Sequence, residues 1–434
     1  MNIDDIINSI DSNNLDIAFG RVVNISAVTL SAVGLDVAVG DIVRIESAQK
    51  LYTVLGMVTV LNDDMFVIVP FSFIDGFKIN DKVFLQRDGL TVKCGNGLLG
   101  RVVNALGDPI DDLGKIRDLD TNAPINKESM SPLDRGIIDK KFATGVKAID
   151  SMLTCGKGQK VGIFAGSGVG KSTLMGMIVQ GCEATIKVIA LVGERGREIP
   201  EFIHYNLNNN LENTVIVTAT SDESPLMRKY AAFTAMTIAE YFRDKGYDVL
   251  LMMDSVTRFA MAQREIGLST GEPPVSRGYP PSVFALLPQL MERAGNSKKG
   301  SITAFFTVLV DGDDLNDPIA DQSRSILDGH IVLTRDLTEQ GFYPPINILK
   351  SASRVIDKVV TKEHYNDFLK LKRVLSLIKE NEVLIRVGAY KKGMDLELDS
   401  AIAKKEKARE FLTQGTLEKY SFDEIVANLR KVLI

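Results

Sequence analysis

Apolar residues at Ile3, Ile6, Ile7 and Ile10 follow the i, i+3, i+4, i+7 spacing of an amphipathic helix. Asp4 and Asp5 fall in its first turn, where the helix dipole favours carboxylates. The apolar stripe fits either packing on the chain's own domain or docking to a partner. From Ile17 to about Arg87 the pattern changes to short β-type runs: Gly20–Ile25, Asp41–Ile45, Leu51–Leu55, Met65–Val69 and Lys82–Leu85. Gly40-Asp41, Asn62-Asp63-Asp64 and Asn80-Asp81 separate these runs, at spacings that predict a small barrel. Between Asp139 and about Leu349 the runs become nearly continuous in hydrophobes, at Lys187–Val192, Thr214–Val217, Val249–Met253 and Ile302–Leu309, with helical stretches between them. Such strands are buried on both faces, so a parallel α/β sheet is expected. Beyond Val355 the chain turns helical and charge-rich, as in Asp399–Leu412. The expected organisation is an N-terminal helix (1–15), a β-barrel (16–92), an α/β domain (93–356) and a C-terminal helical domain (357–434).

One stretch carries chemistry. The apolar run Lys160–Phe164 leads into Ala165-Gly166-Ser167-Gly168-Val169-Gly170-Lys171-Ser172, and Thr173–Val179 continues as a helix. Strand, glycine loop, Gly-Lys-Ser and helix make a phosphate-binding P-loop, which sets the fold class as an α/β P-loop NTPase with a RecA-like parallel sheet. Backbone N–H groups from Gly166 to Thr173 can turn toward phosphate oxygens, helped by the positive end of the helix. Lys171 reaches the β- and γ-phosphates of ATP, and the Ser172 hydroxyl can sit on Mg²⁺. Ala165 stands where the pattern has its first glycine, a small residue in a small residue's place.

A P-loop needs a carboxylate at the end of a second strand, and Val249–Met253 ends at Asp254. Hydrolysis needs a carboxylate for the attacking water. Glu194, at the end of the strand after the P-loop helix, is placed for it. Arg195 and Arg258 are candidates to neutralise γ-phosphate charge, although Glu-Arg pairs are also common as surface ion pairs.

Composition and charge exclude several alternatives. The net charge of −5 gives no general attraction to nucleic acid. Residues 1–88 hold twelve Asp and Glu against six Lys and Arg, the wrong sign for an oligonucleotide-binding barrel. Three scattered cysteines and three scattered histidines suggest neither a disulfide framework nor a zinc site, and fit a reducing cytoplasm. No apolar run approaches the ~18 residues of a membrane span, and no secretory signal is visible.

Gly193–Glu198, Asp254–Arg258 and Asp314–Pro318 together resemble the rotary-type hexameric ATPases, from about Gly20 to the C-terminus. Ser276–Phe284, Leu287–Gly295 and Gly388–Gly393 are similar to the type III protein export ATPases among them, and to the flagellar branch in particular. The resemblance implies that Glu194 polarises water, that Arg195 and Arg258 face the γ-phosphate, and that Glu198 is a second acid near the metal shell. It implies that Tyr343 stacks on adenine and that Arg354 is an arginine finger entering a neighbour's site. Glu194 and Arg354 in one chain then imply a homohexamer with sites between subunits. The Gly271–Pro281 loop would approach a central pore. The implied setting is cytoplasmic and peripheral to a membrane-embedded export gate. The implied partners are export chaperones, substrate proteins, and a stator-like regulator at the N-terminal helix. Rival readings are a virulence injectisome ATPase, a ring RNA helicase, and a non-catalytic nucleotide-binding subunit.

Overall fold

The computed structural model describes residues 18–47, 52–87, 89–310 and 314–434. The expected Ile3–Ile10 helix lies outside these residues. The barrel is built from β1 (Phe19–Ile25), β2 (Leu30–Val33), β3 (Ile42–Glu46), β4 (Thr53–Asn62), β5 (Met65–Pro70) and β6 (Lys82–Gln86). It closes in the order β1-β2-β5-β4-β3-β6, all pairs antiparallel. Val22, Leu30, Ala32, Val43, Ile45, Phe66, Ile68 and Val83 fill its interior. Five strands were expected and six are present. β2 escaped because Leu-Ser-Ala-Val is too short to show alternation, and Ser31 is buried along with its apolar neighbours. β4 is also longer than the run that announced it, continuing to Asn62 before the Asp63-Asp64 turn.

The α/β domain is organised on β7 (Val102–Val103), β8 (Lys160–Ala165), β9 (Ile186–Glu194), β10 (Thr214–Thr220), β11 (Asp248–Asp254), β12 (Ser301–Leu309), β13 (Gly329–Val332) and β14 (Ala352–Ser353). Their order is β14-β13-β8-β12-β11-β9-β10-β7, and every pairing along it is parallel except β13 with β14. Alternate residues of one strand serve opposite cores. Val249, Leu251 and Met253 pack toward α2 (Pro225–Asp244), α3 (Val256–Ser269) and α4 (Pro281–Met291). Leu250 and Met252 pack toward α1 (Lys171–Gly181) on the other face. Burial on both faces is why these strands read as unbroken hydrophobic runs.

The C-terminal helices α5 (Lys362–Glu380), α6 (Leu396–Leu412) and α7 (Phe422–Leu433) follow. Phe368, Leu371, Phe411, Leu412, Ile425 and Leu429 join the α1-side core, together with Ile149 and Met152. At this seam the Gln414 side chain accepts from Lys147 N at 2.8 Å and donates to Gly145 O at 2.9 Å. Among the described residues, no helix is long and apolar enough to cross a membrane.

Candidate functional site

The carboxyl ends of the parallel strands form the edge at which an open α/β sheet holds its ligand. Here β8 ends at Ala165, and the loop turns through Gly168 (φ +75°) and Gly170 (φ +91°), left-handed conformations that favour glycine. α1 then starts at Lys171. Ala165 is fully buried as the last residue of β8, in the core where a single methyl is accommodated. The departure from the P-loop pattern therefore falls inside the sheet and leaves the loop itself unchanged.

Beside the loop lies a cleft of about 650 Å³. Gly166, Ser167, Gly168, Gly170, Lys171, Ser172 and Thr173 form one wall, and Glu194, Arg195, Glu198, Asp254 and Arg258 face it. Val169 is buried beneath, supporting the loop. Three strand ends converge here: β8 delivers the loop, β9 delivers Glu194 and β11 delivers Asp254. The register of β9 slips between Val192 and Glu194, where Gly193 takes φ +69°. This bulge re-aims the last residue of the strand, bringing Glu194 to the cleft.

The charges in the cleft answer one another. Lys171 Nζ lies 2.5 Å from Asp254 Oδ1 and 3.7 Å from Glu194 Oε1. Burial alone would lower the Lys171 pKa, but the Asp254 and Glu194 carboxylates outweigh it and hold the ammonium above its ordinary value. For Glu194, burial and then the Asp254 charge push the pKa up to about 7, against the pull of Lys171. Arg195 is mostly exposed, with Nε 3.8 Å from Glu198. Two buried polar atoms in the cleft, Glu194 Oε1 and Arg258 Nε, have no hydrogen-bond partner. Buried polar groups are normally satisfied, so an unpartnered carboxylate oxygen and an unpartnered guanidinium nitrogen lining one cleft suit a polar ligand.

The structure separates two expected residues from this constellation. Tyr343 is 43 % exposed and does not line the cleft, although Pro345 of the same segment lies against the Gly170 turn. Arg354 is exposed outside its own cleft and donates to Arg324 O at 3.3 Å. The sequence reading also missed several neighbours. Glu201, Phe202 and Asn206 line the cleft from a short helix that passes into a π turn, Phe202–Asn206. Asn206 Nδ2 donates to Ser172 O at 3.1 Å, tying this turn to the start of α1. In the sequence Thr307 is one more residue of the Ile302–Leu309 core strand, yet its Oγ1 donates to Asp254 Oδ1 at 2.6 Å. A polar residue near the C-terminal end of a buried strand was the available signal.

Comparison with known proteins agrees with this geometry. Residues 145–353 match the ATP synthase alpha/beta family nucleotide-binding domain, and residues 360–431 match the T3SS EscN ATPase C-terminal domain. The chain is 57 % identical to a flagellum-specific ATP synthase of Helicobacter pylori over 96 % of its own length and 95 % of the relative's. The chain belongs to the flagellar and type III secretion ATPases. It is 47 % identical to the flagellum-specific ATP synthase of Bacillus subtilis, over 95 % of its own length and 94 % of the relative's. Against the type 3 secretion system ATPase of Xanthomonas euvesicatoria it is 43 % identical, over 95 % and 94 % of the two chains. Among solved structures it matches the assembled ATPase EscN of enteropathogenic E. coli with TM-score 0.91 and 45 % identity, covering 96 % of this chain and all of that one. EscN in complex with its central stalk EscO matches at TM-score 0.89. As a flagellar and type III secretion ATPase the chain binds and hydrolyses ATP.

Proposed function

We propose that this ATPase works as a homohexameric ring with active sites between subunits, and that ATP hydrolysis there drives export of flagellar proteins through a type III apparatus. The observation that carries the ring is the split of the machinery within one chain. Glu194 faces the cleft, whereas Arg354 is exposed outside it. A finger that cannot serve its own cleft is suited to a neighbour's.

In this reading Lys171 and the P-loop N–H groups bind the ATP phosphates, Glu194 polarises the attacking water, and Arg195 and Arg258 face the γ-phosphate. Arg354 of the adjacent copy stabilises charge developing in the transition state. Tyr343 borders the adenine. For Mg²⁺ the residues fit. The cation usually takes one or two protein ligands and completes its shell from phosphates and water. Ser172 and Asp254 supply that number, with Glu198 as an acid close by. Among the described residues no cluster of three or more His, Cys, Asp or Glu forms a cage that would compete. When bound, the cation neutralises β- and γ-phosphate oxygens.

Around the ring, the Gly271–Pro281 loop would face the pore, with Arg277 anchored 3.0 Å from Asp314. Hydrolysis would release chaperones and unfold or deliver substrate proteins to the membrane-embedded gate from the cytoplasmic side. A stator-like regulator would engage the N-terminal segment. The similarity to EscN supports an injectisome role as a second reading, and a strain carrying Lys171→Ala separates the two. Loss of motility with altered flagellar secretion supports the flagellar reading, and normal flagella would refute it.

The ring is tested by Arg354→Ala, expected to lose at least about a thousandfold in ATPase turnover while still binding a fluorescent ATP analogue. Mixing it with Glu194→Gln should restore activity, because mixed rings contain some interfaces with both residues intact. No recovery on mixing would overturn sharing of the site.

A further inference from the structure

In the sheet order, β12 is wedged between β8, which carries the P-loop, and β11, which carries Asp254. Thr307 sits on this strand opposite Ile163 of β8, and its neighbour Phe306 pairs with Met253 of β11. Its side chain is fully buried and its hydroxyl donates to Asp254 Oδ1 at 2.6 Å. The same Oδ1 is the atom paired with Lys171. One carboxylate oxygen thus has two donors, and only one of them belongs to the P-loop.

We propose that Thr307 is a positioning residue for Mg²⁺·ATP, holding the Asp254 carboxylate in place when Lys171 turns from it to the nucleotide. The inference rests on the reading of Asp254 as a magnesium-shell carboxylate. Lys171 cannot serve the β- and γ-phosphates and keep Asp254 at 2.5 Å with the same ammonium in the same pose. Once it moves, a carboxylate only 4 % exposed has lost its cation. The Thr307 hydroxyl remains, rigid because a β-branched side chain on a central strand has few rotamers. Pinning Oδ1 also fixes the direction of Oδ2.

The end of β12 is itself anchored. Leu309 N donates to Thr257 Oγ1 at 2.9 Å, which joins the strand to the first turn of α3, just after Asp254. On the other side Val310 N donates to Ala165 O at 3.0 Å, so Thr307 acts from a strand tied to both the P-loop strand and α3. The corresponding hydroxyl at Thr303, also buried on β12, is used for structure at the far end, accepting from Gly158 N at 2.9 Å. Only the hydroxyl near the carboxyl end reaches the chemistry.

The test is Thr307→Val, which keeps the shape and removes the donor, beside Thr307→Ser and Asp254→Asn, in the full chain under assembling conditions. ATPase activity is titrated with free Mg²⁺ at saturating ATP, and unfolding temperature is measured without nucleotide. Thr307→Val should raise the half-saturating Mg²⁺ by about tenfold or more, in line with other residues that orient a metal ligand. Thr307→Ser should lie near the parent. Parent-like Mg²⁺ dependence in Thr307→Val, with Asp254→Asn strongly shifted, would overturn the role of Thr307. If Asp254→Asn is also unshifted, the underlying assignment of Asp254 is what fails. A Thr307→Val protein that melts lower but keeps its Mg²⁺ dependence marks the hydroxyl as structural only and likewise overturns the proposal.

Discussion

At the scale of single residues, the cleft places one acid in a state unlike that of an ordinary surface carboxylate. Glu194 has its pKa raised to about 7, by burial first and by Asp254 second. A carboxylate that accepts a proton from water works only when ionised, so activity is gained as pH rises through that value. For the free enzyme, kcat/KM is expected to fall about tenfold per pH unit below 7. Glu194→Gln should be about 10²- to 10⁴-fold slower and lack this acid limb. A pH–rate profile of both proteins from pH 5.5 to 9 checks it. Lys171 is readable from its glycine-loop motif, and Asp254 and Glu194 because each closes a strand whose hydrophobic pattern betrays its end. Thr307 was not, since a hydroxyl inside Ile302–Leu309 looks like any tolerated polar atom until the neighbouring strand is known. A role for Arg354 comes only from resemblance, because no pattern within one chain reveals what another copy will touch.

Among the elements, the end of β9 does the most with the least sequence. Gly193 has φ +69°, and a Cβ there would come within 2.9 Å of Arg258 Cβ. Gly193→Ala must therefore both adopt a left-handed conformation, at about 1–2 kcal/mol, and displace Arg258. The expected result is a lower melting temperature together with a loss of turnover larger than any change in nucleotide affinity. Thermal unfolding and steady-state kinetics on the same preparation would show it. The alternation of one strand's residues between two cores explains why the parallel sheet was readable while the short barrel strand Leu30–Val33 was not. A doubly buried strand advertises itself through every residue, whereas a four-residue barrel strand has only Leu30 and Ala32 pointing inward. The π turn at Phe202–Asn206 has no comparable signature, because its departure from α-helix is set by what it packs against.

Across the whole molecule, the barrel and the α/β domain meet over α2. Ser224 Oγ donates to Phe71 O at 2.9 Å, and the Phe71 and Tyr230 rings lie 5.5 Å apart. Deeper along α2, Arg293 is almost fully buried; it donates to Glu240 and Thr237 of that helix and to Ile125 O at 2.9 Å. This guanidinium joins the segment arriving from the barrel to the helical layer over the sheet. Removing it leaves the buried Glu240, among the described residues, with only the longer Arg243 contact at 4.0 Å, so Arg293→Ala should cost about 3 kcal/mol. Denaturant unfolding would measure that loss, and the Arg293→Ala, Glu240→Ala double variant should be less damaged than the two single effects combined.

The Lys171–Asp254 pair also bears on what happens between turnovers. Asp254 is nearly buried, and a site that emptied to leave it bare would be costly to vacate. Among the described residues its one close cation is Lys171, 2.5 Å from Oδ1, and Thr307 donates to the same oxygen. The fold thus carries its own counter-charge for this acid, so Lys171→Ala is expected to lower the melting temperature of the nucleotide-free protein as well as its activity.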